Sequence, residues 1–260
     1  MPPRTYSVLA ALCLCLLLPA PPAGAADAAA DREVIHVLDR LAFGPSPEDV
    51  RHVKAIGIKR YIEEQLAPQS IPESRELTER LKALDTLALG PVQLFQIYGP
   101  PLPKDGVKPT PEERQARFVK SQIIRQQAAE ARLLRALYSR RQLEEVMVDF
   151  WFNHFNVFAG KGLDHLWIGA YEEQAIRPYA LGHFHDLLRA TARHPAMLFY
   201  LDNFQNSAPG SPPAYGRRTG GLNENYAREL MELHTLGVDG GYTQNLSLIH
   251  ISEPTRQAEI

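Results

Sequence analysis

Apolar residues recur at helical spacing along most of the chain, and this periodicity limits the possible folds more than any other feature. Helix boundary signals accompany it. Ser46-Pro47-Glu48-Asp49 is typical of a helix start, and glycines follow several helical segments. We find no run of alternating apolar and polar residues that indicates a strand. Loops rich in proline and glycine, at 99–111 and 206–221, join the segments. The sequence therefore predicts an all-α, multi-helix globular domain with Pro/Gly-rich connecting loops.

Residues 1–25 have the pattern of a secretory signal peptide. Arg4 provides a positive start, Val8 to Leu18 form an apolar run, and Ala23-Gly24-Ala25 provide the small residues that precede cleavage. The run is too short to cross about 30 Å of hydrocarbon. We therefore expect cleavage before Ala26, no integral membrane segment in the mature chain, and a periplasmic or secreted location.

Several function classes are excluded by composition and by missing motifs. Both cysteines, Cys13 and Cys15, lie in the apolar run, so the mature chain would have no disulfide, thiolate zinc site or cysteine nucleophile. A formal net charge of -2 at pH 7 argues against a nucleic-acid partner. No phosphate-binding loop, dinucleotide fingerprint or nucleophile elbow occurs. The sequence leaves any cofactor, and the identity of any metal, unknown.

Four segments carry a recognisable family pattern: HVLDRLAFGP at 36–45, VDFWFNHFNVF at 148–158, PAMLFYLDN at 195–203 and GLNENYARELMELHTLG at 221–237. Together they resemble the bacterial family called domain of unknown function 1800, over residues from about His36 to Gln244. The resemblance implies an exported, largely helical protein with no established activity. It also implies a gene that is often adjacent to one for an exported protein resembling alkaline phosphatases and sulfatases.

The end of the chain departs from this family pattern. Members usually continue with further helices past Gly240–Thr243, so the resemblance implies that residues 26–246 are a truncated, partial domain. Residues 247–260 include Ser247 to Arg256, which resemble a translated sequencing adapter. A short strand from Leu246 to Ile251 is the alternative. We expect the tail to be non-native.

His154 is the first candidate site residue. At ~100° per residue, a helix from Arg141 to Phe158 places His154 near the middle of an apolar stripe. The stripe comprises Leu143, Val146, Met147, Phe150, Trp151, Val157 and Phe158. Asp149, Asn153 and Asn156 form a polar ridge along its edge.

Glu229 is the second candidate, on the helix predicted from Asn223 to Leu236. It lies among apolar residues, which are Leu222, Tyr226, Leu230, Leu233 and Leu236, and Asn225 and Glu232 occupy the adjoining edge. His234 falls on another face. An unpaired buried carboxylate would cost several kcal/mol, so we expect Glu229 to have a partner.

Two functions are consistent with this polar cluster. In the first, His154 and Glu229 are satisfied within the core, and the protein is an accessory or binding component of a periplasmic pathway whose partner is another exported protein. In the second, His154 and Glu229 act as general acid and base of a hydrolase, or bind a metal with Asp149 or Glu232. The other predicted binding residues are Asn153, Asn156 and Asn225.

Overall fold

The computed structural model describes residues 23–103, 107–207 and 224–241. Within these ranges the chain forms α-helices joined by short 3₁₀ turns and contains no strand, which confirms the all-α prediction. The helices are α1 (Ala23–Leu41), α2 (Pro47–Ile56), α3 (Ile58–Gln65), α4 (Arg75–Lys82), α5 (Pro91–Tyr98), α6 (Pro111–Tyr138), α7 (Gln142–His154), α8 (Ile168–Tyr171), α9 (Phe184–Arg193), α10 (Pro195–Tyr200) and α11 (Glu224–Glu232).

Two expectations fall wholly or mostly outside the described residues. Most of the predicted signal peptide, residues 1–22, lies outside them, and so does the predicted non-native tail. The predicted cleavage position before Ala26 lies within the range of α1, which begins at Ala23. No helix in the described part of the chain is both long and apolar enough to cross a membrane.

Local capping fixes where the helices begin. The Ser46 hydroxyl accepts the N–H of Asp49 at 3.0 Å and starts α2, as the sequence predicts. The longest helix, α6, begins with a reciprocal cap in which Thr110 accepts the N–H of Glu113 and the Glu113 carboxylate accepts the N–H of Thr110. Both arrangements satisfy backbone N–H groups that have no partner within the helix.

The N-terminal helices form a small core of their own, attached to α7. Val34 and Leu38 of α1 pack with Val53 of α2 and Tyr61 of α3. The Gln65 side chain connects this unit to the rest, because its amide accepts the N–H of Leu143 at 3.1 Å and donates to a backbone carbonyl at 2.9 Å.

The main core is formed by side chains of helices α6 to α10, and α11 also contributes to it. Its fully buried side chains include Phe155, Leu166, Tyr171, Ile176, Leu187 and Met197. The sequence predicts one helix from Leu166 to Leu188 with a break near Pro178. The chain instead forms short α8, a π-helical turn at Glu172–Ile176 and a 3₁₀ turn at Arg177–Tyr179 before α9 begins. This segment is far more irregular than expected.

Buried ion pairs explain that irregular segment. The Arg177 guanidinium makes two bonds to the Glu145 carboxylate of α7, at 2.8 and 3.0 Å, and reaches Glu172 at 3.3 Å. Arg132 of α6 also binds Glu172, and Arg135 binds Glu173 at 2.5 Å. The π turn therefore directs consecutive glutamates toward α6, where they meet arginines that are one turn apart.

Candidate functional site

His154 does not lie in the core. Its side chain is exposed, so the prediction that it sits in a buried stripe is wrong. The buried face of α7 is formed by Val148, Phe152 and Phe155, roughly 120° around the helix at 100° per residue. Because aromatic residues cover more than half of the circumference of α7, the apolar pattern did not identify the face that packs inward.

Only part of the predicted stripe faces solvent: Phe150 is exposed beside a half-buried Trp151, whereas Leu143 and Val157 are buried. We define the outer aromatic surface as Phe150, Trp151, His154 and Phe184. Phe150 is 54% exposed and Phe184 is 43% exposed. The Trp151 ring centroid lies 4.9 Å from that of Phe150 and 5.6 Å from that of His154, in edge-on contacts. The Phe184 ring lies 5.8 Å from Trp151. These four side chains thus form a contiguous surface where the end of α7 meets the start of α9.

The end of α7 also contacts the segment that follows α11. Nε2 of His154 lies 3.2 Å from the carbonyl oxygen of His234, and the two rings are 6.4 Å apart. His234 is buried and packs 5.2 Å from the Phe155 ring. Burial, together with the nearby His154, lowers the pKa of His234 to about 4, so its ring is neutral at pH 7. The structure therefore pairs His154 with His234, a residue that the sequence analysis set aside.

Glu229 lies at the edge of α11 rather than within its buried face. Its side chain is 21% exposed, and its carboxylate lies 3.9 Å from the Arg228 guanidinium. The buried side chains of this segment are Tyr226, Ala227, Met231 and His234, whereas Leu233 and Leu236 are exposed. The predicted buried face was therefore wrong, although Tyr226 was assigned correctly. In the described part of the chain, the ring of His154 contacts His234 and not Glu229.

The predicted binding residues do not form one cluster. Asp149 and Asn153 are together, because the Asn153 amide donates to the Asp149 carbonyl at 2.8 Å. The Asp149 carboxylate also lies 3.7 Å from Arg132. Asn156 is exposed just beyond α7. On α11, the Asn225 side chain accepts from Arg228 at 2.9 Å, and Glu232 is half-buried. Their roles in binding stay predictions.

A second group of buried polar side chains surrounds Tyr171, and the sequence analysis missed it. The Tyr171 hydroxyl donates to the Phe155 carbonyl at 2.8 Å, and the His194 ring packs 5.2 Å from Tyr171. Nδ1 of His194 caps α10 by accepting the N–H of Ala196. Within the described ranges its Nε2 has no hydrogen-bond partner, and burial lowers the pKa of His194 to about 4. The position of His194 directly before Pro195 was the available sequence signal for a helix cap.

Three of the segments that carry the family pattern meet here: His154 of 148–158 contacts His234, and the Asn225 amide donates to the Leu201 carbonyl of 195–203 at 3.5 Å. The sequence pattern of the family described as "Protein of unknown function (DUF1800)" matches residues 36–245. The chain belongs to this family. No curated protein and no solved structure gives a significant match.

One more group in this family member stands out. Asp164, between α7 and α8, is fully buried, and neither carboxylate oxygen has a hydrogen-bond partner among the described residues. Burial raises the pKa of Asp164 to about 8, with smaller opposing effects from Lys161 and Asp202. Lys161 binds Asp202 at 3.0 Å, where a left-handed backbone (φ 60°) turns the chain after α10. No sequence signal singled out Asp164.

The described residues contain no group of three or more His, Cys, Asp or Glu side chains placed to hold a metal ion. The hydrolase interpretation, with His154 and Glu229 as its acid and base, stays a prediction. The clearest feature of the site is the outer aromatic surface.

Proposed function

We propose that this chain is an exported accessory protein that binds another exported protein of its pathway through the outer aromatic surface. One observation carries the proposal: Phe150 and Phe184 expose 54% and 43% of their surface around a half-buried tryptophan. Contiguous exposed aromatic rings are unfavourable in water, and they supply much of the binding energy where they are covered by a partner.

The surface is also held in place before any partner arrives. Nε1 of Trp151 donates to the Ala180 carbonyl at 2.9 Å, which fixes the indole between α7 and the start of α9. The Phe184 ring packs against the fully buried Phe155 at 6.1 Å. A surface that is already ordered loses less conformational entropy on binding, so more of its contact energy contributes to affinity.

Two sequence features support the export and the choice of partner. The apolar run from Val8 to Leu18 has the features of a signal peptide. The family resemblance favours, as the partner, the exported protein resembling alkaline phosphatases and sulfatases that is often encoded beside members of the family. Export is tested by fractionating cells that express the full chain, with and without residues 1–25. Retention of the full chain in the cytoplasm would refute this part of the proposal.

Binding is tested by calorimetry with the purified full chain and the purified product of the adjacent phosphatase-like gene. We expect Phe150→Ser and Phe184→Ser each to weaken the affinity at least tenfold, because each removes an exposed ring from the contact surface. Val119→Ser is the matched control, since Val119 is 59% exposed on α6 away from this surface. It should change the affinity less than twofold. Wild-type affinity in both phenylalanine variants would contradict the proposal.

A further inference from the structure

A groove beside α6 is separate from the outer aromatic surface and independent of the function proposed above. It encloses about 830 Å³, which lies within the range of about 300–1,000 Å³ found for small-molecule pockets. Ala129 and Leu133 of α6 line one side, and Phe152 and Ile168 line the other. The Leu133 side chain is 64% exposed there. The groove therefore exposes Ala129 and Leu133 to solvent, above a floor that includes the largely buried Phe152.

The charges in the groove do not balance. It is lined by Arg125, Arg132 and Glu172. Arg132 donates from Nε to the Glu172 carboxylate at 3.0 Å, and its guanidinium lies 4.1 Å from the Phe152 ring centre, so Arg132 is already paired. Arg125 has no ion-pair partner among the residues that the structure describes. One uncompensated guanidinium thus lies beside an apolar wall.

We propose that this groove binds a free single-chain fatty acid. The acyl chain lies along Ala129, Leu133, Phe152 and Ile168, and the carboxylate meets the Arg125 guanidinium. Both parts follow from chemistry: apolar surface removes the chain from water, and a guanidinium donates two parallel hydrogen bonds to a carboxylate. Gln122, one turn before Arg125, supplies an amide at the same end of the groove. An uncharged or cationic chain of the same length lacks the second interaction.

The test is calorimetric titration of the purified full chain with dodecanoate, kept below its micelle concentration. We expect saturable binding that Arg125→Ala weakens at least tenfold. Arg125→Lys should recover part of the affinity, because it keeps the charge but not the two-bond geometry. Arg51→Ala is the matched control. Arg51 is an exposed arginine on α2, has no ion pair among the described residues, and lies outside the groove, so its removal should change the affinity less than twofold.

Two further comparisons separate this site from general detergent-like association. Ala129→Trp fills the groove from the exposed face of α6 and should abolish binding. Dodecyltrimethylammonium, which has the same chain and the opposite charge, should bind at least tenfold more weakly than dodecanoate. The proposal is overturned if dodecanoate does not bind, if it binds Arg125→Ala as well as wild type, or if the cationic chain binds equally well. Arg125 is on the surface, so its variants keep the test valid even if Ala129→Trp fails to fold.

Discussion

Replacing Asp164 with asparagine should make the stability of the protein less dependent on pH. Burial holds the folded-state pKa of Asp164 at about 8, against an ordinary value of 3.8. Because the folded pKa is the higher one, this group contributes most to stability below about pH 4. Its contribution falls as the pH rises toward 8, where the folded protein must bury a charged carboxylate. Asparagine has nearly the same shape and never acquires that charge.

The size of the effect follows from the shift in pKa. Each pH unit between the unfolded-state pKa and the folded-state pKa lowers the free energy of unfolding by about 1.4 kcal/mol. From pH 5 to pH 8 the free energy of unfolding of the wild-type protein should therefore fall by up to about 4 kcal/mol relative to that of the variant. An amide buried without hydrogen bonds also costs about 1–3 kcal/mol, but that cost is the same at both pH values and cancels when they are compared.

The measurement is urea unfolding, followed by far-UV circular dichroism, of wild type and Asp164→Asn at pH 5 and pH 8. The free energy of unfolding of the variant, minus that of wild type, should increase by about 2–4 kcal/mol from the lower to the higher pH. Asp39→Asn makes the same chemical change at an exposed position of α1 and is the matched control. A difference for Asp164→Asn that stays constant within about 0.5 kcal/mol would refute the assignment of an unpaired buried carboxyl.

Two further predictions concern stability at neutral pH. His154→Ala should change the free energy of unfolding by no more than about 0.5 kcal/mol because the side chain is exposed. Phe155→Ala should lower it by about 3–5 kcal/mol because that ring is fully buried. Chemical denaturation of both variants checks this, and a large loss of stability in His154→Ala would contradict the exposed position of His154. Arg177→Met should cost about 3–5 kcal/mol by leaving the buried carboxylate of Glu145 without its main partner, and a thermal midpoint equal to that of wild type would contradict the ion-pair network.

Features set by local chemistry were predictable from the sequence, and features set by distant contacts were not. The start of α2 followed from Ser46 and Pro47, since a cap depends on neighbours within one turn. The sequence from Arg75 to Leu89 is amphipathic, but α4 ends at Lys82. There, the amide N–H and hydroxyl of Thr86 both donate to Gln127 of α6, at 2.9 and 2.6 Å. That partner is far away in the chain and has no local signature.

The prediction that the candidate site is buried was wrong for a related reason, which the packing of α7 shows. Phe150, Trp151, Phe152 and Phe155 point in several directions around that helix, so hydrophobicity alone gives it no preferred inner face. Glu145 removes the ambiguity, because it lies seven residues before Phe152 and therefore on the same side of the helix. Its two bonds to Arg177 hold that side inward. Rotating α7 to bury His154 would turn the Glu145 carboxylate away from Arg177 and leave that guanidinium without its closest partner. The ion pair fixes the rotation of the helix, and this rotation places the outer aromatic surface in solvent.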